Sequence, residues 1–171
     1  MPSSKENLGI FFGILAFFLF ATTDVAQKYA TIYHSVFQIM LFRYLFLLIV
    51  SLVEAKRKHN AQVWKTKNLK MQLLRSLTSI LETAFFVTSF RYLPLADVHS
   101  VAALSPIIVV ALSIIFLKEF VDRKIWFAIF FGFIGVIIIL RPGFDVFSFK
   151  SLLPLGAAFF FALYQILTKK V

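Results

Sequence analysis

Apolar residues gather into six long blocks, at 8–26, 36–53, 73–92, 96–117, 125–140 and 152–167, divided by short polar stretches. Crossing the hydrocarbon core of a bilayer takes ~20 residues of α-helix, with a usual range of about 17–25. Strands of a membrane barrel would instead alternate apolar and polar residues over ~10 positions. None of the blocks alternates. The pattern therefore predicts an all-α fold, a polytopic transmembrane helical bundle, with a short sixth helix.

Polar residues inside such blocks are few, and a charge at membrane depth costs several kcal/mol unless it meets a partner or a wet cavity. Arg43 lies seven residues from one end of the second block and ten from the other; Glu82 lies nine and ten residues from the ends of the third. At ~1.5 Å rise per residue, the two reach similar depths near the midplane on consecutive, oppositely directed helices. Arg43 and Glu82 are expected either to pair or to line one cavity, and a purely structural ion pair is the alternative. Arg75 precedes Glu82 by seven residues, so the two share a helix face, with Ser79 between them extending a polar track. Arg75 itself is expected to snorkel to the interface.

A second polar group collects at the opposite ends of the helices: Asp24, Gln27 and Lys28, then Arg91, Asp97 and His99. Asp24 is the deepest of these and is a candidate gate or proton-linked carboxylate. Ordinary interfacial solvation is expected for Lys28, Arg91 and Asp97, and His99 alone points to nothing. Ser105 and Pro106 stand in the middle of the fourth block. Proline there removes an amide donor and frees a carbonyl, which membranes tolerate only beside a cavity or a neighbouring helix. The candidate binding residues are thus Arg43, Glu82, Asp24, Ser79, Ser105 and Pro106. Small residues at four-residue spacing, Gly9 with Gly13 and Ala128 with Gly132, followed by Gly135, predict close helix packing.

Composition sharpens this picture. Of 171 residues, 60% are hydrophobic and 23 are phenylalanine. The net charge of +10 would suggest a nucleic-acid partner in a soluble chain. Here twelve basic residues fall on one side of the predicted membrane (Lys5, those at 56–70, Lys118, Arg123, Lys124, Lys169 and Lys170). Four fall on the other: Lys28, Arg91, Arg141 and Lys150. The excess is a positive-inside signal, so the N-terminus is expected in the cytoplasm, and nucleic acid drops out as a partner. The first block is expected to stay as a helix, because Ala21-Thr22-Thr23-Asp24 makes a poor signal-cleavage site. The loop at 54–72 is expected to be topogenic, resting on anionic lipid. There are no cysteines, and His34, His59 and His99 are scattered, so no thiolate chemistry, metal-ligand spacing, nucleophile elbow or phosphate loop is present. No cofactor and no enzyme activity are expected.

The sixth block echoes the first: Ala16-Phe-Phe-Leu-Phe-Ala21 with Lys28 aligns with Ala158-Phe-Phe-Phe-Ala-Leu163 and Lys170, an offset of 142. Five crossings separate the copies, so the second enters from the opposite side, as inverted repeats of secondary transporters do. Further motifs carry a family resemblance. Phe42-Arg43-Tyr44, Tyr92-Leu-Pro-Leu-Ala-Asp97, Leu104-Ser105-Pro106 with Glu119, Gly132 and Gly135 with Arg141-Pro142-Gly143, and Ala157 to Gln165 resemble EamA-type proteins of the drug/metabolite transporter superfamily. Within it, the S-adenosylmethionine uptake carriers look most similar. The resemblance implies ten helices in two repeats, of which 1–143 would be the first and 144–171 the opening of the second. A second repeat or a partner chain, a homodimer included, would complete the fold. It also implies a carrier for small polar or zwitterionic, amino-acid-like metabolites working by alternating access. The alternative class is a non-transporting half-fold assembly or sensor subunit.

Overall fold

The structure, a computed structural model, describes residues 4–57, 68–118, 120–140 and 148–170. Lys58, Lys65, Lys67, Glu119 and the motif at 141–143 lie outside them. Among the described residues every regular element is helical, and the chain forms an all-α polytopic bundle. Among the described residues, five spans are long and apolar enough to cross a membrane: Asn7–Tyr33, Val36–Arg57, Leu69–Tyr92, Leu95–Leu117 and Phe149–Lys170.

The first helix, α1, is Ser4–Tyr33, and α2 is Val36–Arg57. The turn between them is held by a reciprocal cap: Ser35 N–H donates to Gln38 Oε1 at 3.0 Å and Gln38 N–H to Ser35 Oγ at 3.3 Å. This is the capping-box exchange, which satisfies orphan donors at a helix start. Helix α1 runs about two turns beyond the apolar block that predicted it, because the polar side chains of its last turns find partners inside the bundle.

Helix α3, Leu69–Tyr92, starts on Asn68, whose side chain accepts from Met71 N–H at 3.2 Å. It carries more polar residues than its neighbours, but its hydroxyls fold back: Thr78 donates to the Arg75 carbonyl, Thr88 to Ala84 and Ser89 to Phe86. Such local bonds let hydroxyl residues sit within a membrane helix. Pro94 ends α3 by forcing Leu93 to extended backbone, φ −127° and ψ 151°.

The fourth predicted span is interrupted. Helix α4 is Leu95–Ala102 and α5 is Ser105–Leu112, separated by a turn at Ala103 and Leu104. Pro106 cannot donate to the Ala102 carbonyl, its partner in an unbroken helix. The Ser105 hydroxyl donates to that carbonyl instead. A π-turn at Ser113–Leu117 follows and closes on Lys118, in left-handed backbone at φ 54°, whose N–H returns to the Ser113 carbonyl. Helix α6 is Arg123–Leu140, and a 3₁₀ turn at Phe149–Ser151 leads into α7, Leu152–Lys170.

The tightly packed part of the molecule is α7 laid against α3, α4 and α5. Pro154, Ala157, Ala158, Ala162, Ile166 and Leu167 are its buried residues. One apolar cluster joins Leu112, Ala162 and Ile166, and another gathers Phe90, Leu93 and Val98 at the α3–α4 corner. Gly156 leaves no room for a side chain: a Cβ there would sit 3.0 Å from the Phe85 ring of α3. The glycines singled out from spacing behave differently. A Cβ on Gly9, Gly13, Gly132 or Gly135 would meet nothing within 4 Å. Close approach in this chain is made by the small residues of α7, and the expectation for those four glycines is corrected. Helices α1 and α2 stand apart from this core: α2 buries no residue, and Thr31 is the buried residue of α1 among those described.

Candidate functional site

A gap separates this outlying pair from the core. A cavity of about 790 Å³ lies among α1, α2, α3 and the start of α4. Small-molecule sites fall in the range of roughly 300–1,000 Å³. Its apolar wall includes Phe17, Phe20, Phe46 and Phe86, and its polar groups are Thr23, Asp24, Gln27, Arg43, Glu82, Thr83 and His99.

Each polar group is set by the helix that carries it. Asp24 and Gln27 are three residues apart on α1 and so share a face. Arg43 Nη1 donates to Gln27 Oε1 at 3.3 Å across the α1–α2 interface. Asp24 Oδ2 lies 3.4 Å from His99 Nε2, joining α1 to α4, with side chains 22% and 41% exposed respectively. His99 is also held edge-on to Phe86, ring centroids 5.7 Å apart. On α3, Thr83 Oγ1 donates to Glu82 Oε2 at 3.2 Å, and the Tyr44 hydroxyl from α2 donates to Thr83 Oγ1 at 3.2 Å. A chain of hydrogen bonds thus runs from Tyr44 through Thr83 to the Glu82 carboxyl. Arg43 and Asp24 both lie within electrostatic reach of that carboxyl.

Of the residues expected from sequence to form a site, Arg43, Glu82 and Asp24 line this cavity. The hydrogen bond of Arg43 is to Gln27, so Arg43 and Glu82 share a space rather than a bond among the described contacts. Ser79, Ser105 and Pro106 are not in its wall. Ser105 instead borders a smaller neighbouring cavity of about 190 Å³, with Glu82 and Phe86 in the partition between the two. Pro106 is exposed. Arg75 stacks over the Tyr164 ring, 6.0 Å from its centroid, which ties α3 to α7.

The EamA-like transporter family matches residues 7–141. The chain belongs to that family. It is 31% identical over 155 residues to the riboflavin transporter of Vibrio cholerae, covering 89% of this chain and 52% of that protein. To the S-adenosylmethionine uptake transporter of Rickettsia bellii it is 30% identical over 169 residues, 96% of this chain and 56% of that one. The pseudopaline exporter of Pseudomonas aeruginosa is 26% identical over 145 residues, with 84% and 48% covered. No solved structure matches the chain. The chain spans about half the length of these curated relatives.

In this EamA-like chain, sequence reasoning missed two partners of the cavity's charged groups. His99 was discounted because a lone histidine near a helix start carries no signal of its own; its meaning comes from Asp24, 75 positions earlier. Gln27 was named in the second polar group without a role, although its helical offset from Asp24 already placed both on one face. Two expectations of interfacial solvation are corrected. Asp97 is 2% exposed, and Lys28 is half-buried and bonded to main chain; Arg91 is exposed as expected.

Proposed function

We propose that this chain forms part of an inner-membrane secondary carrier, with its N-terminus in the cytoplasm, that moves small zwitterionic metabolites by alternating access. The observation that carries the reading is one cavity holding Arg43, Asp24 and Glu82 together. The guanidinium takes an anionic group such as a carboxylate. Asp24 and Glu82 take a cationic group, and the phenylalanines cover the apolar remainder. The printed activities of the relatives, for S-adenosylmethionine, riboflavin and pseudopaline, support a small polar metabolite as cargo without choosing among them. Because α1 and α2 bury so little, a second set of helices, from the same or another chain, completes the opposing wall. Surrounding lipid covers the rest, and no enzymatic step is proposed.

The test is ligand-induced thermal stabilisation of the purified protein with S-adenosylmethionine, riboflavin and a panel of amino acids, followed by uptake into vesicles. A ligand at 100 times its dissociation constant adds about 2.7 kcal/mol. A zwitterion in the panel is expected to stabilise the protein. Arg43→Ala and Glu82→Ala are each expected to weaken binding and uptake about tenfold or more, as befits loss of a charged contact. Variants that bind and transport as well as the parent would remove both residues from the site.

A further inference from the structure

Lys28 turns its ammonium onto main chain. Its ammonium donates to the carbonyl of Leu93 at 2.8 Å and to that of Phe90, both at the end of α3. The need for these bonds is written into the sequence. In a continuing helix the Phe90 carbonyl would accept from residue 94, but Pro94 has no N–H. The last regular bond of α3 is Leu93 N–H to the Ser89 carbonyl. The Leu93 carbonyl falls outside both helices, since α4 opens with Val98 N–H donating to Pro94. Among the main-chain acceptors this helix end leaves, those of Phe90 and Leu93 belong to buried residues, where an unmet group is costly, and they sit at the negative end of the α3 dipole. A lysine from another helix meets both conditions.

Lys28 also occupies a controlling place on α1. Asp24, one turn earlier, faces His99, and the adjacent Gln27 receives Arg43. Thr31, one turn later, donates to the Lys28 carbonyl and is 3% exposed. From this geometry we infer that Lys28 is a positioning residue. It caps the α3 C-terminus from a neighbouring helix and so fixes the register of α1 against the α3–α4 corner, which in turn sets Asp24 and Gln27 in the cavity. This concerns how the site is held, and it depends on the proposed function only for the purpose of that site.

Thr31 supplies a reporter, because the chain has no cysteine of its own. The rate of N-ethylmaleimide labelling of Thr31→Cys in the detergent-solubilised protein is compared with and without a second change at Lys28. With Lys28 intact, the buried cysteine is expected to label slowly. Thr31→Cys with Lys28→Met is expected to label about tenfold faster or more, the loss of one or more charge-assisted bonds. With Lys28→Arg, which keeps donors for both carbonyls, the rate is expected to return close to that of Thr31→Cys alone. Equal rates for Lys28 and Lys28→Met would overturn the proposal. So would an arginine variant as fast as the methionine one, since the donors would then not be the cause. Labelling requires no transport, so this result is independent of whether the carrier reading holds.

Discussion

Tyr44, Thr83 and Glu82 show how a carboxyl is held at membrane depth. Thr83 is buried and has one proton, which it gives to Glu82, so it relies on Tyr44 to fill its acceptor side. Removing only one partner strands the other, whereas removing both together leaves fewer unmet groups. Tyr44→Phe and Thr83→Val are each expected to cost about 1 kcal/mol in thermal unfolding, and the double variant distinctly less than their sum. Additive costs in a double-mutant cycle would mean the two hydroxyls do not interact. The place of Glu82 near the middle of its helix was legible in the sequence, because the apolar block that contains it marks the helix it sits on. Its partner Thr83 was not: a threonine among threonines and serines carries no distinguishing signal until the facing helix is known. Arg43 followed the same course, placed correctly along its helix, with Gln27 beside it only once α1 and α2 were seen together.

At the level of helices, hydrophobic runs located the spans well, because length and apolarity decide what crosses a bilayer. They located breaks less well. The fourth run reads as one apolar block, yet the chain turns at Ala103 and Leu104 and resumes as α5. The repair at this break is local. The Ser105 hydroxyl stands in for the amide that Pro106 lacks, so Ser105 and Pro106 act as a pair within the backbone. Ser105→Ala is therefore expected to lower stability by about 1–3 kcal/mol, the cost of a stranded buried carbonyl. Adding Pro106→Ala should restore an N–H at that position and recover most of the loss. Thermal unfolding of the single and double variants checks this; a serine whose loss is not relieved by the second change would be acting elsewhere, for instance toward the adjoining cavity. The glycine pattern misled for a related reason. Spacing marks where helices are able to approach, while which face meets a neighbour depends on the whole arrangement, and here α7 at Gly156 makes that approach.

Across the whole molecule, charge and packing are separate sources of information about orientation. Basic residues cluster where α2 ends, at Lys56 and Arg57, and where α7 ends, at Lys169 and Lys170. The α1–α2 turn, 34–35, lies at the other end of α2, and Lys28 lies near it at the end of α1. A cytoplasmic surface attracts Lys and Arg, so the α2 end should face the cytoplasm and the α1–α2 turn the outside. In that orientation Lys28 would belong to the minority on the outer side, and its bonds to main chain would account for its place there in spite of the rule. With no native cysteine, single replacements can read the orientation directly. In intact cells, a membrane-impermeant maleimide is expected to label Ser35→Cys at the turn and to leave Lys56→Cys unlabelled until the membrane is permeabilised. Both positions are exposed, so burial does not confound the comparison. The opposite pattern would invert the topology and move the cavity's Asp24–His99 end to the cytoplasmic side. Labelling of both positions in intact cells would mean that the chain inserts in two orientations, and then the charge difference between its two faces is too weak to decide its direction.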